Sequence, residues 1–147
     1  MKVIDLGAGN SVINHYMAQL RDVDYQKNRT LFRRNLERIA HAMAYELSKQ
    51  LSYAPAVVTT PLGEKHTQLS DERIVVGTVL RAGLAFHEGF LDVFDSADSA
   101  FVAAYREEGT KEELKIKLDY LAAPTLDGCT FLMVDSYILF HFEIFYR

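Results

Sequence analysis

The sequence predicts an α/β fold, a parallel-centred sheet flanked by helices and carrying a β-hairpin arm. Two observations predict it. Three apolar runs, Arg73 to Leu80, Ser99 to Tyr105 and Thr130 to Asp135, are continuous rather than alternating, as in parallel strands covered on both faces. Segments with apolar residues at steps of three and four lie before and between them, so helices interleave with strands. At 147 residues, 49% hydrophobic and 24% charged, the chain fits one domain whose core needs neither disulfides nor metals.

Each element follows from its residues. Ser11 to Leu20 reads as a brief helix after the short apolar start Lys2 to Leu6. A longer helix begins at Asn28 or Thr30 and runs to Leu51, with Phe32, Leu36, Ile39, Ala40, Met43, Leu47 and Leu51 on one stripe. Ala56 to Thr60 and Thr67 to Leu69, around Pro61 and Gly63, read as a hairpin arm. The buried strand Arg73 to Leu80 precedes a helix over Leu84 to Phe94 and the second strand, Ser99 to Tyr105. After the charged turn Glu107 to Glu113, Leu114, Ile116 and Leu118 alternate with Lys115, Lys117 and Asp119, a half-exposed strand at a sheet edge. Asp127-Gly128 turns the chain into the third buried strand, which ends on the acid Asp135.

Composition narrows the function classes. A net charge of -4 lacks the basic field of a dedicated nucleic-acid binder. The single cysteine, Cys129, excludes an internal disulfide and reads as a small core residue in a cytoplasmic protein. No run of about 18 apolar residues suggests a membrane span. The segment Ser136 to Arg147 is atypical: it holds five of the chain's 17 Phe and Tyr residues and no Gly or Pro, a pattern that predicts poor solubility.

Several motifs have ordinary explanations. Val3 to Gly9 imitates the opening glycine loop of adenosylmethionine-dependent methyltransferases, but the third glycine is absent and the next strand ends in Thr-Thr-Pro rather than an acid. The basic run Lys27, Arg29, Arg33, Arg34 and Arg38 reads as a solvated helix face, with Arg33 and Glu37 spaced as an i,i+4 pair. His15, His41, His66, His87 and His141 lack metal-ligand spacing and read as structural. The stronger signal is the set of strand ends, Leu80-Arg81-Ala82-Gly83, Ala104-Tyr105-Arg106 and Met133-Val134-Asp135. Ligands bind at the carboxyl edge of open α/β sheets. Two arginines there suit a polyanion, a carboxylate suits a sugar diol, and Ala82 and Gly83 would let backbone approach an anion.

From about Asn10 to Asp135 these residues resemble the uracil phosphoribosyltransferases. The resemblance rests on the long helix, the arm from Val57 to Leu69, Val79-Leu80-Arg81-Ala82-Gly83-Leu84, the turn Tyr105-Arg106-Glu107-Glu108, and Leu132-Met133-Val134-Asp135. It implies a type I phosphoribosyltransferase fold and transfer of phosphoribosyl from phosphoribosyl diphosphate to uracil, giving UMP and diphosphate in pyrimidine salvage. It further implies Mg2+, a GTP effector in some relatives, and an oligomer. By the same resemblance Arg81 and Arg106 grip the diphosphate, with Ala82 and Gly83 in that loop, and Asp135 opens the segment around the ribose 5-phosphate. Here, however, Asp135 is followed by Ser136-Tyr137-Ile138-Leu139-Phe140 where the family has Pro-Met-Leu-Ala-Thr-Gly. The expectation is therefore two parts: residues 1–135 as the N-terminal portion of a phosphoribosyltransferase domain with its later part missing, and 136–147 as an aromatic tail. A chain without the 5-phosphate loop and uracil site is expected to be catalytically impaired. The alternative is a non-catalytic relative that binds phosphoribosyl diphosphate, a nucleotide or RNA and acts by pairing with intact subunits.

Overall fold

The computed structural model describes residues 4–106 and 116–136. In order they form α1 (Ile13–Arg21), a single 3-10 turn (Tyr25–Lys27), α2 (Arg29–Ser48), β1 (Ala54–Thr60), β2 (Gly63–Leu69), β3 (Ile74–Leu80), α3 (Leu84–Leu91), β4 (Asp98–Arg106), β5 (Ile116–Ala122) and β6 (Thr130–Val134). Four strands form one sheet in the order β5-β4-β3-β6, and β1 and β2 form a separate ribbon.

Helix α2 starts where Asn28 accepts the Leu31 amide on its side chain, satisfying one of the orphan donors of the first turn. Its stripe buries Leu36, Ile39, Ala40, Met43, Ala44 and Leu47 against Ile13, Met17 and Leu20 of α1 and Phe86 and Phe90 of α3. Truncating one of these larger side chains to Ala should cost about 2–5 kcal/mol. Gly89 sets how close α3 comes to α2, since a Cβ there would lie 2.6 Å from both Ala40 Cβ and the Glu37 carbonyl. The basic face pairs differently from the expected Arg33–Glu37 spacing. Arg34 Nη1 reaches Glu37 at 2.9 Å instead, an i,i+3 contact on the same surface.

Strand β3 pairs in parallel with β4 on one side and β6 on the other, and its first five residues are buried. Its continuous apolar run is thus explained by a central position. Ile74, Val76, Leu132 and Val134 face the helices and complete the core. The opposite face carries Val75, Gly77, Phe131 and Met133 by strand alternation. Gly77 makes room for the Phe131 ring, which would stand 2.7 Å (Cε2) from an added Cβ.

Three expectations need correction. Among the described residues strand β6 lies at the edge of the sheet and is buried on the helix side only; Phe131 and Met133 are 39% and 46% exposed. Its apolar run therefore does not mean burial on both faces. Leu118 of β5 is 60% exposed, although β5 does lie antiparallel on the outer edge of β4. Among the described residues no helix packs over it, so its alternation marks an exposed strand, not a half-buried one. Cys129 is half-buried in the turn before β6 and donates to the Leu126 carbonyl, so it is not a core residue.

The amino end of the sheet is tied by charge. Arg73 donates through Nη2 to Asp98 at 2.7 Å and through Nη1 to the Thr125 carbonyl at 2.8 Å. Glu72 accepts from the Ser52 amide and the Thr130 hydroxyl, which holds its carboxyl below the usual carboxylate range. The arm β1–β2 closes through Thr60, whose hydroxyl donates to the Gly63 carbonyl at 2.7 Å, and Gly63 has the positive φ (128°) the turn requires.

Candidate functional site

Because β4, β3 and β6 are adjacent and parallel, their carboxyl ends share one rim. Leu80 is level with Ala103, so β4 continues to Arg106 beyond it, and Thr78 is level with Val134, so Asp135 follows at the height of Val79. The tertiary structure thus brings the backbone at Arg81, Arg106 and Asp135 to one edge. The Arg106 side chain, residues 107–115 and residues 137–147 lie outside the described residues. So does the whole of the expected charged turn, Glu107 to Glu113, and so does the aromatic tail apart from Ser136.

The loop after β3 is a tight turn. The Gly83 amide donates back to the Val79 carbonyl at 3.2 Å, the Leu84 amide to the Arg81 carbonyl at 3.3 Å, and the His87 amide to the Gly83 carbonyl at 2.9 Å, which starts α3. The Leu80–Arg81 peptide is cis. Gly83 supplies room: a Cβ there would overlap Thr78 Oγ1 and lie 3.2 Å from the Val79 carbonyl. Arg81 projects as an exposed side chain, and the first turn of α3 adds the partial positive charge of a helix start beside it. The loop is an electropositive turn open to solvent, suited to an anion.

Ser136 joins this loop to the end of β6. Its hydroxyl donates to the Ala82 carbonyl at 3.0 Å. From sequence Ser136 belonged to the atypical tail; its contact was not legible because it depends on the β3–β6 register. Thr78 and His87 also went unremarked as site neighbours. Both are buried beneath the loop; the Thr78 hydroxyl has no hydrogen-bond partner among the described residues, and the His87 ring only loosely approaches the Val76 carbonyl. The available signals were a hydroxyl inside a β-branched run and a histidine on the apolar face of a helix. Burial holds the His87 ring below the ordinary imidazole range, with the Glu88 carboxylate and the Val76 carbonyl opposing.

Other sequence candidates separate from the rim. Residues 6–9 form a turn and bend, and the first strand of the described chain is β1 at Ala54, so among the described residues the glycine loop has no strand-turn-helix setting. On the basic face, Lys27 pairs with Asp24, Arg34 with Glu37, and Arg38 reaches Asn35 and lies over the Tyr16 ring. Three of the five cations are thus engaged, which weakens any phosphate-binding stripe. His41 pairs with Asp92 at 2.8 Å. An open cleft of about 540 Å3 lies at the opposite end of β3, beside Tyr53, Glu72, Arg73 and Asp95. Its Glu72 and Arg73 are already committed to Ser52, Thr130, Asp98 and Thr125.

A family model for uracil phosphoribosyltransferase matches residues 8–139. The chain belongs to the uracil phosphoribosyltransferase family. A uracil phosphoribosyltransferase of Porphyromonas gingivalis is 42% identical over 135 residues, covering 92% of this chain and 62% of that protein. One from Methanothermobacter thermautotrophicus is 34% identical over 106 residues, covering 71% of this chain and 48% of that protein. The solved structure of the AQ2163 protein from Aquifex aeolicus superposes with a TM-score of 0.76 at 28% identity, over 90% of this chain and 61% of that one. The chain therefore spans less than two thirds of the length of these relatives. The family match includes all three strand ends and continues to residue 139, past Asp135.

Proposed function

We propose that the rim formed by the ends of β3, β4 and β6 binds phosphoribosyl diphosphate, and that the chain represents the diphosphate-gripping part of a uracil phosphoribosyltransferase of pyrimidine salvage. In this reaction N1 of uracil, losing its proton, displaces diphosphate from the anomeric carbon of the ribose and forms UMP. Positive charge develops on the sugar and negative charge on the departing diphosphate. Arg81, with Ala82 and Gly83 in its loop, holds the leaving group; Arg106 reaches it from β4; Asp135 begins the segment that meets the ribose. The observation that carries this reading is the parallel order β4-β3-β6, which assembles three separated motifs on the edge where α/β sheets bind ligands.

By the family resemblance the reaction uses Mg2+, which is commonly held by substrate phosphates and one or two carboxylates, and Asp135 would be the carboxylate. When bound, the ion neutralises charge on the diphosphate. A GTP effector belongs to the same proposal through the family resemblance.

The residues after Asp135 lack the Thr-Gly turn that would take the 5-phosphate, so these 147 residues transfer phosphoribosyl slowly or not at all while retaining diphosphate affinity. Orientation supplies about 7–11 kcal/mol in favourable reactions, and one gripped reactant does not provide it. The arm supports an oligomer: an isolated two-stranded ribbon is marginal alone, and its tip Leu62 is fully exposed, a surface that a second copy would cover. No helix of the described residues is long and apolar enough to cross a membrane, and a single cysteine fits a cytoplasmic setting. Two assays test the proposal. Calorimetry with inorganic diphosphate should show binding that Arg81→Ala weakens. Conversion of radiolabelled uracil to UMP should be far below ordinary enzyme rates, and turnover at about 1–10³ per second would overturn the impaired-catalysis part.

A further inference from the structure

Beneath the Arg81–Gly83 loop lie two buried polar side chains, Thr78 and His87. Thr78, on the central strand, is fully buried, and its hydroxyl fills the space that a Gly83 side chain would need. His87, one turn into α3, is 2% exposed. Its backbone amide holds the Gly83 carbonyl, and its ring lies 4.9 Å from the ring of Phe101, which is level with Thr78 in the sheet. The Thr78 hydroxyl thus sits against Gly83, and the His87 ring lies one helical turn further on, packed on Phe101 of the neighbouring strand. The Thr78 hydroxyl has no hydrogen-bond partner among the described residues, and the His87 ring makes only a loose approach to the Val76 carbonyl. Valine at 78 would keep the shape, and an apolar side chain at 87 would strand no polar atoms in the core, where unpaired groups are destabilising.

We propose that Thr78 and His87 are a positioning pair for the diphosphate loop, a buried polar joint that fixes the height and tilt of Gly83 and hence the direction in which Arg81 and Ala82 meet the anion. The pairing chemistry is complementary. A neutral imidazole offers one donor and one acceptor, and a hydroxyl accepts and donates, so one shared water can join the two. Burial favours that neutral ring. The inference deepens the diphosphate reading of the rim and rests on it.

The test is calorimetric titration of the full 147-residue chain with inorganic diphosphate, alongside thermal unfolding. Thr78→Val keeps the shape and removes the hydroxyl; it should leave the melting temperature unchanged or raised while weakening diphosphate affinity by about tenfold. Thr78→Ser should restore most of that affinity. His87→Phe should weaken it to a similar degree, and the double variant Thr78→Val/His87→Phe no further than either single change, as expected of two members of one joint. If Thr78→Val binds as tightly as wild type while Arg81→Ala does not, the positioning role is overturned and the diphosphate site stands. If affinity falls only in step with stability, or Thr78→Ser fails to restore it, the pair is merely structural and the inference is overturned. Absent wild-type binding, or binding indifferent to Arg81→Ala, overturns the site and the inference together. Should His87→Phe fail to fold, the two Thr78 variants decide.

Discussion

Replacing Gly83 by Ala is the sharpest test of how the rim is built. The added Cβ would overlap Thr78 Oγ1, lie 3.3 Å from Thr78 Cβ and 3.2 Å from the Val79 carbonyl, whereas comfortable carbon contacts begin at about 3.5 Å. Val79 is backbone and cannot yield without disturbing β3, and Thr78 is wedged between β3 and α3. The loop must therefore lift away from the sheet. Overpacking of this kind costs about 1–3 kcal/mol, and each kcal/mol lowers the melting temperature by about 2–4 °C for a domain near this size. Chemical denaturation should report the loss as a lower midpoint with an unchanged slope. The same lift moves Ala82 and Arg81, so diphosphate affinity should fall too. Shortening the obstacle should relieve the clash. Thr78→Ala/Gly83→Ala should be more stable than the sum of its single changes predicts, by an interaction of about 0.5–3 kcal/mol. If Gly83→Ala is as stable as wild type, or if the two changes add to within about 0.5 kcal/mol, the loop does not rest on Thr78 and the packing argument fails.

Other outcomes follow from the same geometry. Arg81→Ala removes charge-assisted donors to the anion and should weaken diphosphate binding by about 1.5–3 kcal/mol, read by calorimetry at fixed ionic strength. Glu72 has a depressed carboxyl pKa in the fold because the Thr130 hydroxyl and the Ser52 amide hydrogen-bond its charged form. The stability it contributes is present above its unfolded value, about 4.3, and is lost as pH falls through the lower folded value; unfolding midpoints measured against pH should show this acid limb, and Glu72→Gln should flatten it. His87 acts in the same sense nearer neutrality. Its folded pKa is also depressed, so its contribution is complete above the unfolded value of about 6.5 and declines as pH drops from there toward the folded one; His87→Phe should remove that slope. Deleting residues 137–147 strips a run of aromatic and branched residues without Gly or Pro and should raise solubility, measured by light scattering; unchanged scattering would assign association to another surface.

Much of this architecture was legible in the chain. The stripe from Phe32 to Leu47 marked α2 because a helix must place every third or fourth residue on its buried side. The run Ile74 to Leu80 announced a central strand because both of its faces and both of its edges are covered. The same reasoning misread Thr130 to Val134. Phe131 and Met133 look like core residues, but nothing in a local pattern says whether a helix covers the second face of an edge strand. Cys129 likewise read as core from its residue type, while the turn at Asp127-Gly128 leaves it partly exposed. Arg34, rather than Arg33, took Glu37 because side-chain geometry allows either spacing on a helix surface.

What the sequence alone determined was the inventory of the rim: an arginine-alanine-glycine turn, a second arginine and an aspartate, each at the close of an apolar run. Residue types and spacing suffice there because strand ends are local events. Only the tertiary structure decided that these ends share an edge, that Gly83 lies against the hydroxyl of Thr78, and that Ser136 reaches the carbonyl of Ala82. Those relations depend on strand order and register, which set contacts between residues far apart in the chain and leave no trace in any short window of it.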